Sequence, residues 1–289
     1  MSREPTVAKI ARKRYDEGWS FQRAGGRRGM QRYFVPEAQM DERSVTLEGD
    51  DARHAAAVMR AKPGDRFVAC NGSGRDVVAR IVSVEKHKVE AEIVEELAGS
   101  AEMRWRIDVA QSLPKGDKLE TVIQKGTEAG AAAFLPFLSR RTVVQYDERK
   151  EAKRIDRWRK IAKEAAEQSH RSVVPRIDAV SSWKILLQKF AEYDLVLLCY
   201  EEEGRSGVGL REALAAFGRE REPEERAPSV LVVVGPEGGF APEEAEAAIA
   251  AGARAIGLGR RILRTETAAL YALACLAYES GELGGINDA

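Results

Sequence analysis

Twice near its C-terminal end the sequence runs from a short apolar stretch into a glycine-bearing loop and on into a helical pattern. Val230 to Val234 leads into Gly235-Pro236-Glu237-Gly238-Gly239-Phe240, and Ala255 to Leu258 leads into Gly259-Arg260-Arg261-Ile262-Leu263-Arg264-Thr265-Glu266-Thr267. Buried strands that alternate with helices pair in parallel, because each helix carries the chain back to the edge where the strand began. Both loops therefore open at one edge of one sheet, which is where open α/β sheets place their ligands.

The chain upstream supplies the rest of that sheet. Candidate strands are Arg106 to Gln111, Ala133 to Pro136 and Leu195 to Cys199, and candidate helices are Lys115 to Ala129, Glu148 to Ser169, Trp183 to Ala191, Leu210 to Phe217, Pro242 to Ala251 and Glu266 to Tyr278. The charge-rich stretch Arg219 to Pro228 reads as a surface loop. From Arg32 to Val94 the grammar is different: short strands at Arg32 to Val35, Ser44 to Leu47, Arg66 to Cys70, Val77 to Val84 and Val89 to Val94, separated by turn residues such as Lys62-Pro63-Gly64-Asp65 and Asn71-Gly72-Ser73-Gly74. This predicts a small β-barrel domain. One helix interrupts it, Asp51 to Arg60, with Asp50 or Asp51 as its cap and Ala55, Val58 and Met59 on its apolar side. At 289 residues the chain has room for two domains, with the boundary near residue 100.

Charge is balanced, 46 basic against 46 acidic residues, so net charge alone announces no nucleic-acid partner. The distribution is less even. Met1 to Gly29 is basic and ends in Gly25-Gly26-Arg27-Arg28-Gly29, which is either an arm that touches phosphates or an extension with no packed role. Cys70, Cys199 and Cys275 have no metal-ligand or redox spacing, and His54, His87 and His170 are equally scattered, so no metal site is expected. Buried thiols, no bilayer-length apolar run and no signal-peptide core fit a cytoplasmic protein without a membrane span.

The first loop is no nucleotide-triphosphate cradle: it lacks the Lys-Ser/Thr of a Walker-type loop and the glycine spacing of the dinucleotide fingerprint. Pro236 restricts Gly235, while Gly238 and Gly239 expose bare amides and carbonyls, which suits an adenine or ribose edge or else simply makes a tight turn. In the second loop Thr265 is placed to cap a buried helix, and Arg261 and Arg264 project at that helix's positive end. A cation there is explained by an anion nearby, whether an RNA phosphate, a cofactor carboxylate or a developing negative charge. For Arg264 a structural bridge to Glu266 is the other reading.

These two loops resemble the cofactor-binding loops of the bacterial 16S ribosomal RNA uracil-N3 methyltransferases of the SPOUT superfamily. The similarity continues through Gln111-Ser112-Leu113-Pro114-Lys115-Gly116-Asp117-Lys118, Gln124-Lys125-Gly126-Thr127-Glu128-Ala129-Gly130 and Ala162-Lys163-Glu164-Ala165-Ala166-Glu167-Gln168-Ser169. It reaches Gln31-Arg32-Tyr33-Phe34-Val35 and His54 with Val58-Met59-Arg60 in the small domain. Met1 to Gly29 falls outside the family pattern, and His170 stands where members often carry glycine.

The resemblance implies an α/β fold: a PUA-like β-barrel over residues 30–98 and a SPOUT methyltransferase domain over 99–289, a mostly parallel sheet tied in a trefoil knot that no composition could predict. It implies S-adenosylmethionine as cofactor, held by Leu198, Cys199, Tyr200 and Glu201, by Gly235, Pro236, Glu237, Gly238 and Gly239, and by Leu258, Gly259, Ile262, Leu263 and Thr267. It implies the 16S rRNA or the small ribosomal subunit as substrate, and a homodimer, which apolar surface on the last helix fits. Methyl transfer to uracil N3 requires loss of the imide proton, so Arg264 is the candidate for stabilising the anionic base and Glu266 for orienting it. N3 lies in the Watson–Crick edge, so the uridine must be unpaired or extruded. Arg32, Arg60, Lys115, Lys125, Arg140, Arg141 and Arg171 are the candidate RNA contacts. A SPOUT enzyme acting on another RNA, and a non-catalytic RNA-binding assembly factor, are the competing readings.

Overall fold

The computed structural model describes residues 30–98, 101–144, 147–200, 207–220 and 226–283. The basic segment Met1 to Gly29 and residues 221–225 of the Arg219 to Pro228 linker lie outside them, and Arg219 belongs to a helix.

The small domain is a five-stranded curled sheet of β1 (Arg32–Phe34), β2 (Ser44–Glu48), β3 (Arg66–Cys70), β4 (Asp76–Val84) and β5 (Lys88–Leu97), in the order β1-β3-β4-β5-β2. Every pairing is antiparallel except that of β1 with β3. Alternation fixes its inner face: Val45 and Leu47 of β2, Val77 and Ala79 of β4, and Val89 and Ala91 of β5 meet Tyr33 and Phe67 in one core. Register shifts at Val78/Ala79 and Ile81/Ser83 bend β4, and that bend curls the sheet. Helix α1 (Gly49–Arg53) is shorter than its sequence pattern and passes into a π-helical turn, His54–Val58. Neither aspartate caps it; Glu48 is the N-cap, and the Asp51 carboxylate instead accepts from Lys163 Nζ at 2.7 Å. Val58 and Met59, expected on the apolar side, are exposed because the π-turn rotates them away from the core.

The larger sheet is wholly parallel. Its strands are β6 (Arg106–Ser112), β7 (Ala133–Leu138), β8 (Arg176–Ile177), β9 (Ser181–Ser182), β10 (Leu195–Cys199), β11 (Ser229–Val234) and β12 (Arg254–Ile256), in the order β12-β10-β11-β6-β7-β8, with β9 also on β7. Helices α2 (Lys118–Glu128), α3 (Glu151–Gln168), α4 (Trp183–Gln188), α5 (Leu210–Glu220), α6 (Pro242–Ala250) and α7 (Thr265–Glu279) cover it. The central strand β11 is buried at every position, as a strand covered on both faces must be. Val230, Val232 and Val234 enter one core with residues of α2, α3, α5 and α7. Leu231 and Val233 enter the other, with Leu186 of α4 and Ala245 and Ala248 of α6. The register pairs Val234 with both Gln111 and Cys199, and Cys199 with Ile256, so β6, β10, β11 and β12 end side by side.

A buried polar network joins the two domains, and it corrects two of the expected RNA contacts. Arg32 Nη1 donates to Asp76 Oδ2 at 2.6 Å and to the carbonyl of Arg171 at 3.1 Å, while Ser172 Oγ donates to the same Asp76 oxygen at 2.7 Å. Arg171 is ion-paired to Glu102 and donates through Nη1 to the carbonyls of Thr127 and Ala131. With 8% and 2% of their surfaces exposed, Arg32 and Arg171 are structural ties, out of reach of a phosphate.

Candidate functional site

The loop after β11 is built to present backbone while staying in place. Its Gly235 is packed so closely that a Cβ would come 3.1 Å from the Phe240 ring, and Phe240 in turn stacks on Phe137 with centroids 6.4 Å apart. Gly239 turns the chain with φ +66, a left-handed conformation that favours glycine. Three side chains from neighbouring elements brace the loop. Lys118 Nζ at the start of α2 meets Glu237 Oε1 at 2.6 Å, and that oxygen also accepts from the Lys115 amide at 3.1 Å. Partial burial works against ionisation of Glu237, yet the hydrogen bonds from Lys118, its own amide and Lys115 outweigh it and hold the carboxyl below its usual range. Arg141 Nη1 donates to the Gly238 carbonyl at 3.0 Å, and Glu244 accepts the Arg140 amide at 2.8 Å and the Ala241 amide at 3.0 Å.

The loop after β12 turns at Gly259, φ +95, and ends in Arg264, whose extended backbone is the N-cap of α7. The Thr265 hydroxyl does not cap this helix as the sequence implies. It donates to the Gly235 carbonyl at 2.6 Å and accepts from Gln111 Nε2 at 2.8 Å, while Gln111 is fully buried. This three-part clasp ties the start of α7 to the loop after β11 and to the end of β6.

Between the loops lies a cavity of about 480 Å³, with Cys199, Tyr200, Val234 and Ile256 contributing from the strand ends. The structure brings Cys199, Tyr200, Gly235, Pro236, Glu237, Gly238, Gly239, Leu258, Gly259, Ile262 and Leu263 together around it, with Arg264 beside them. Leu198 is not on its wall, because alternation along β10 turns that side chain into the core. Thr267 is exposed on α7 and also off the wall, and Glu201 lies outside the described residues. The wall further includes Lys118, Arg141, Phe240, Arg261, Thr265 and Ala268, which the sequence did not assign to it. Lys118 and Thr265 sit inside the motifs that carried the resemblance, so the signal was present, but only the fold shows which side chains of a motif face inward.

Burial pushes the Cys199 thiol up to about 12, so it is a neutral wall rather than a nucleophile. Among the described residues Arg264 forms no ion pair with Glu266, whose Oε2 is buried without a hydrogen-bond partner. Of the remaining RNA candidates, Arg60 has φ +53 beside exposed Val58 and Met59, Lys115 is exposed, Lys125 pairs with Glu128 at 2.8 Å, and Arg140 pairs with Glu243 at 3.2 Å. No helix among the described residues is long and apolar enough to cross a membrane.

The volume falls within the roughly 300–1,000 Å³ of small-molecule sites. Bare backbone on two loops, apolar strand ends and an open surface over Gly239 and Gly259, where a Cβ would meet nothing within 4 Å, fit an adenosyl group held edge-on by main chain.

Comparison with known proteins bears on the same regions. A family model described as an RNA methyltransferase domain matches residues 101–277, and one described as an RNA methyltransferase PUA domain matches 47–94. The sequence is 41% identical over 259 residues to the ribosomal RNA small subunit methyltransferase E of Bacillus subtilis, covering 89% of this chain and 99% of that one. It is 35% identical over 233 residues to the protein of the same name from Mycobacterium tuberculosis, covering 79% and 84%. A crystal structure of the ribosomal RNA small subunit methyltransferase E of Neisseria gonorrhoeae bound to S-adenosyl methionine is similar with a TM-score of 0.74 at 31% identity, over 86% of this chain and 98% of that one. A putative methyltransferase from Legionella pneumophila in complex with the bound cofactor SAM superimposes with a TM-score of 0.75 at 28% identity, over the same shares of the two chains.

Proposed function

The chain belongs to the RNA methyltransferase family, with its PUA domain, and from that premise we propose that it is an S-adenosylmethionine-dependent enzyme methylating N3 of a uridine in the 16S rRNA of the small ribosomal subunit. The observation that carries this reading is the cavity where the two glycine-bearing loops meet at the parallel sheet edge, with Arg264 on its wall. The solved relatives with S-adenosylmethionine support its occupant.

Gly235 to Gly239 and Leu258 to Leu263 hold the adenosyl and methionyl parts through main chain, and Cys199, Ile256 and Leu263 exclude water from the reacting end. When bound, the cofactor supplies a methyl group on a sulfonium, whose sulfur keeps the bonding pair as a neutral thioether once the methyl is taken. Uracil N3 is protonated at neutral pH, so a nitrogen lone pair becomes free to form the new bond to carbon only as the imide proton passes to solvent water. Arg264 stabilises the negative charge that this loss spreads over N3 and the two carbonyl oxygens beside it. It is placed for this by the clasp of Thr265, Gln111 and Gly235, which fixes the first turn of α7. Tyr271 and Tyr278, one face of α7 and 41% and 73% exposed, support a second copy of the chain docking there.

The test is mass spectrometry of small-subunit rRNA incubated with the purified protein and S-adenosylmethionine. One added N3-methyl on one uridine is expected. Arg264→Ala should lower turnover by about 10²–10³-fold while calorimetry shows cofactor affinity nearly unchanged. Methylation of another atom or another RNA would replace the substrate part of the reading; equal loss of turnover and affinity would move Arg264 into cofactor binding.

A further inference from the structure

Four cationic side chains line the cavity, Lys118, Arg141, Arg261 and Arg264, against one carboxylate, Glu237. Lys118 is matched by Glu237 at 2.6 Å. Among the described residues no carboxylate lies within ion-pair distance of the other three, although Arg140, Arg157 and Arg254 elsewhere on this domain each hold one. All three unmatched arginines are exposed, and Arg141 uses one nitrogen on the Gly238 carbonyl, which fixes its guanidinium beside the loop. Arg141 enters from the loop after β7 and Arg261 from the loop after β12, two strands away on opposite sides of β11, so they stand on either flank of the cavity.

Guanidinium groups gathered without counter-charge repel one another, and such an arrangement is explained by an anion that fills it. S-adenosylmethionine is not that anion. Its sulfonium and ammonium outnumber its single carboxylate, so it carries net positive charge. Resting on the methyltransferase reading above, we propose that Arg141 and Arg261 are contacts for the two phosphates that flank the target nucleotide, and that their charge couples RNA binding to cofactor binding. An extruded nucleotide has one backbone phosphate on each side, which matches two cations bracketing one cavity. Without RNA, the surplus positive charge disfavours the cationic cofactor relative to S-adenosylhomocysteine, which is neutral after methyl transfer. Phosphates from the RNA cancel the surplus and remove that bias, and by linkage the cofactor strengthens RNA binding by the same factor.

Calorimetry on the full chain tests this with S-adenosylhomocysteine and the unreactive amine analogue of the cofactor, each with and without a short RNA carrying an unpaired uridine. In low salt the neutral ligand should bind about five- to tenfold tighter than the cationic one, a ratio that shrinks towards unity on adding RNA or salt. Arg141→Gln and Arg261→Gln should each shrink the ratio of the two affinities, even where loss of the Arg141 bond to Gly238 loosens the loop for both ligands alike, and lower the salt slope of RNA binding by about one. Arg141→Lys and Arg261→Lys should restore both. A ratio unaffected by RNA, salt and the glutamine variants, with an unchanged salt slope, overturns the phosphate contacts while leaving the methyltransferase intact. Failure of either ligand to bind at all would sink the methyltransferase reading, and this proposal with it.

Discussion

At the scale of single residues, the site depends on side chains that hold backbone in place rather than on side chains that grip the ligand. Glu237 shows how. Its carboxylate sits in a loop whose amides and carbonyls face the cavity, and its bonds to Lys118 and the Lys115 amide are what keep that loop at the start of α2. Those bonds lower its folded pKa against the opposing effect of burial. A depressed carboxyl contributes stability that is fully present above its unfolded value, near pH 4.3, and is lost as pH falls through the lower folded value. Glu237→Gln should therefore cost about 0.5–1 kcal/mol at pH 7, and the gap to the unaltered protein should narrow when the pH is taken to an acidic value below that unfolded one. Urea midpoints at the two pH values measure it. A gap of equal size at both would mean that the carboxylate's charge contributes nothing to holding the loop.

At the scale of elements, the ends of strands and the beginnings of helices decide what the site can do. Thr265 reads in sequence as a helix cap, yet its hydroxyl spans to Gly235 and receives the Gln111 amide, joining β6, the loop after β11 and α7. Thr265→Val keeps the shape and removes both bonds, so that the Gly235 carbonyl keeps only a long contact from Gln111 at 3.5 Å and the Gln111 amide only its bond to the Ser112 carbonyl at 3.1 Å. It should destabilise the fold by about 1–3 kcal/mol and weaken S-adenosylmethionine binding in calorimetry; loss of stability with unchanged affinity would separate the clasp from the cavity. The strands that frame this region were legible because five apolar residues in a row, as in Leu195–Cys199, admit few other readings. The two-residue strands β8 and β9 were not, since no period can be read from Arg176–Ile177 or Ser181–Ser182. Residue motifs likewise located the loops but not the direction of each side chain. Leu198 and Cys199 are adjacent in one strand, and the pleat sends one into the core and the other to the cavity. Arg32, Arg171 and Arg141 are expected alike as phosphate contacts from sequence, and only packing separates a buried tie from a surface charge.

At the scale of the whole molecule, that buried tie gives the small domain a fixed relation to the cavity. Arg32 of β1 and Ser172 share Asp76, the Ser172 and Val173 amides donate to Glu102, and Arg171 runs from Glu102 to the carbonyls of Thr127 and Ala131 at the end of α2. The other end of α2 carries Lys118, which holds Glu237. Helix α2 thus connects the domain junction to the wall of the site, and a second tie runs beside it, where Lys163 of α3 meets Asp51 and Glu167 accepts the Phe34 amide. An RNA spanning both domains then meets surfaces whose spacing is set before it arrives, which lowers the ordering cost of binding. Breaking one partner of a buried pair leaves the other charge stranded, so Arg32→Met should destabilise the protein by about 3–5 kcal/mol in chemical denaturation. Because Arg32 touches no solvent-facing phosphate, the variant should bind RNA more weakly with its salt slope unchanged, and S-adenosylmethionine with its affinity unchanged. A salt slope reduced by about one would instead show that Arg32 swings out to meet the RNA, and the junction would then be a moving part rather than a fixed one.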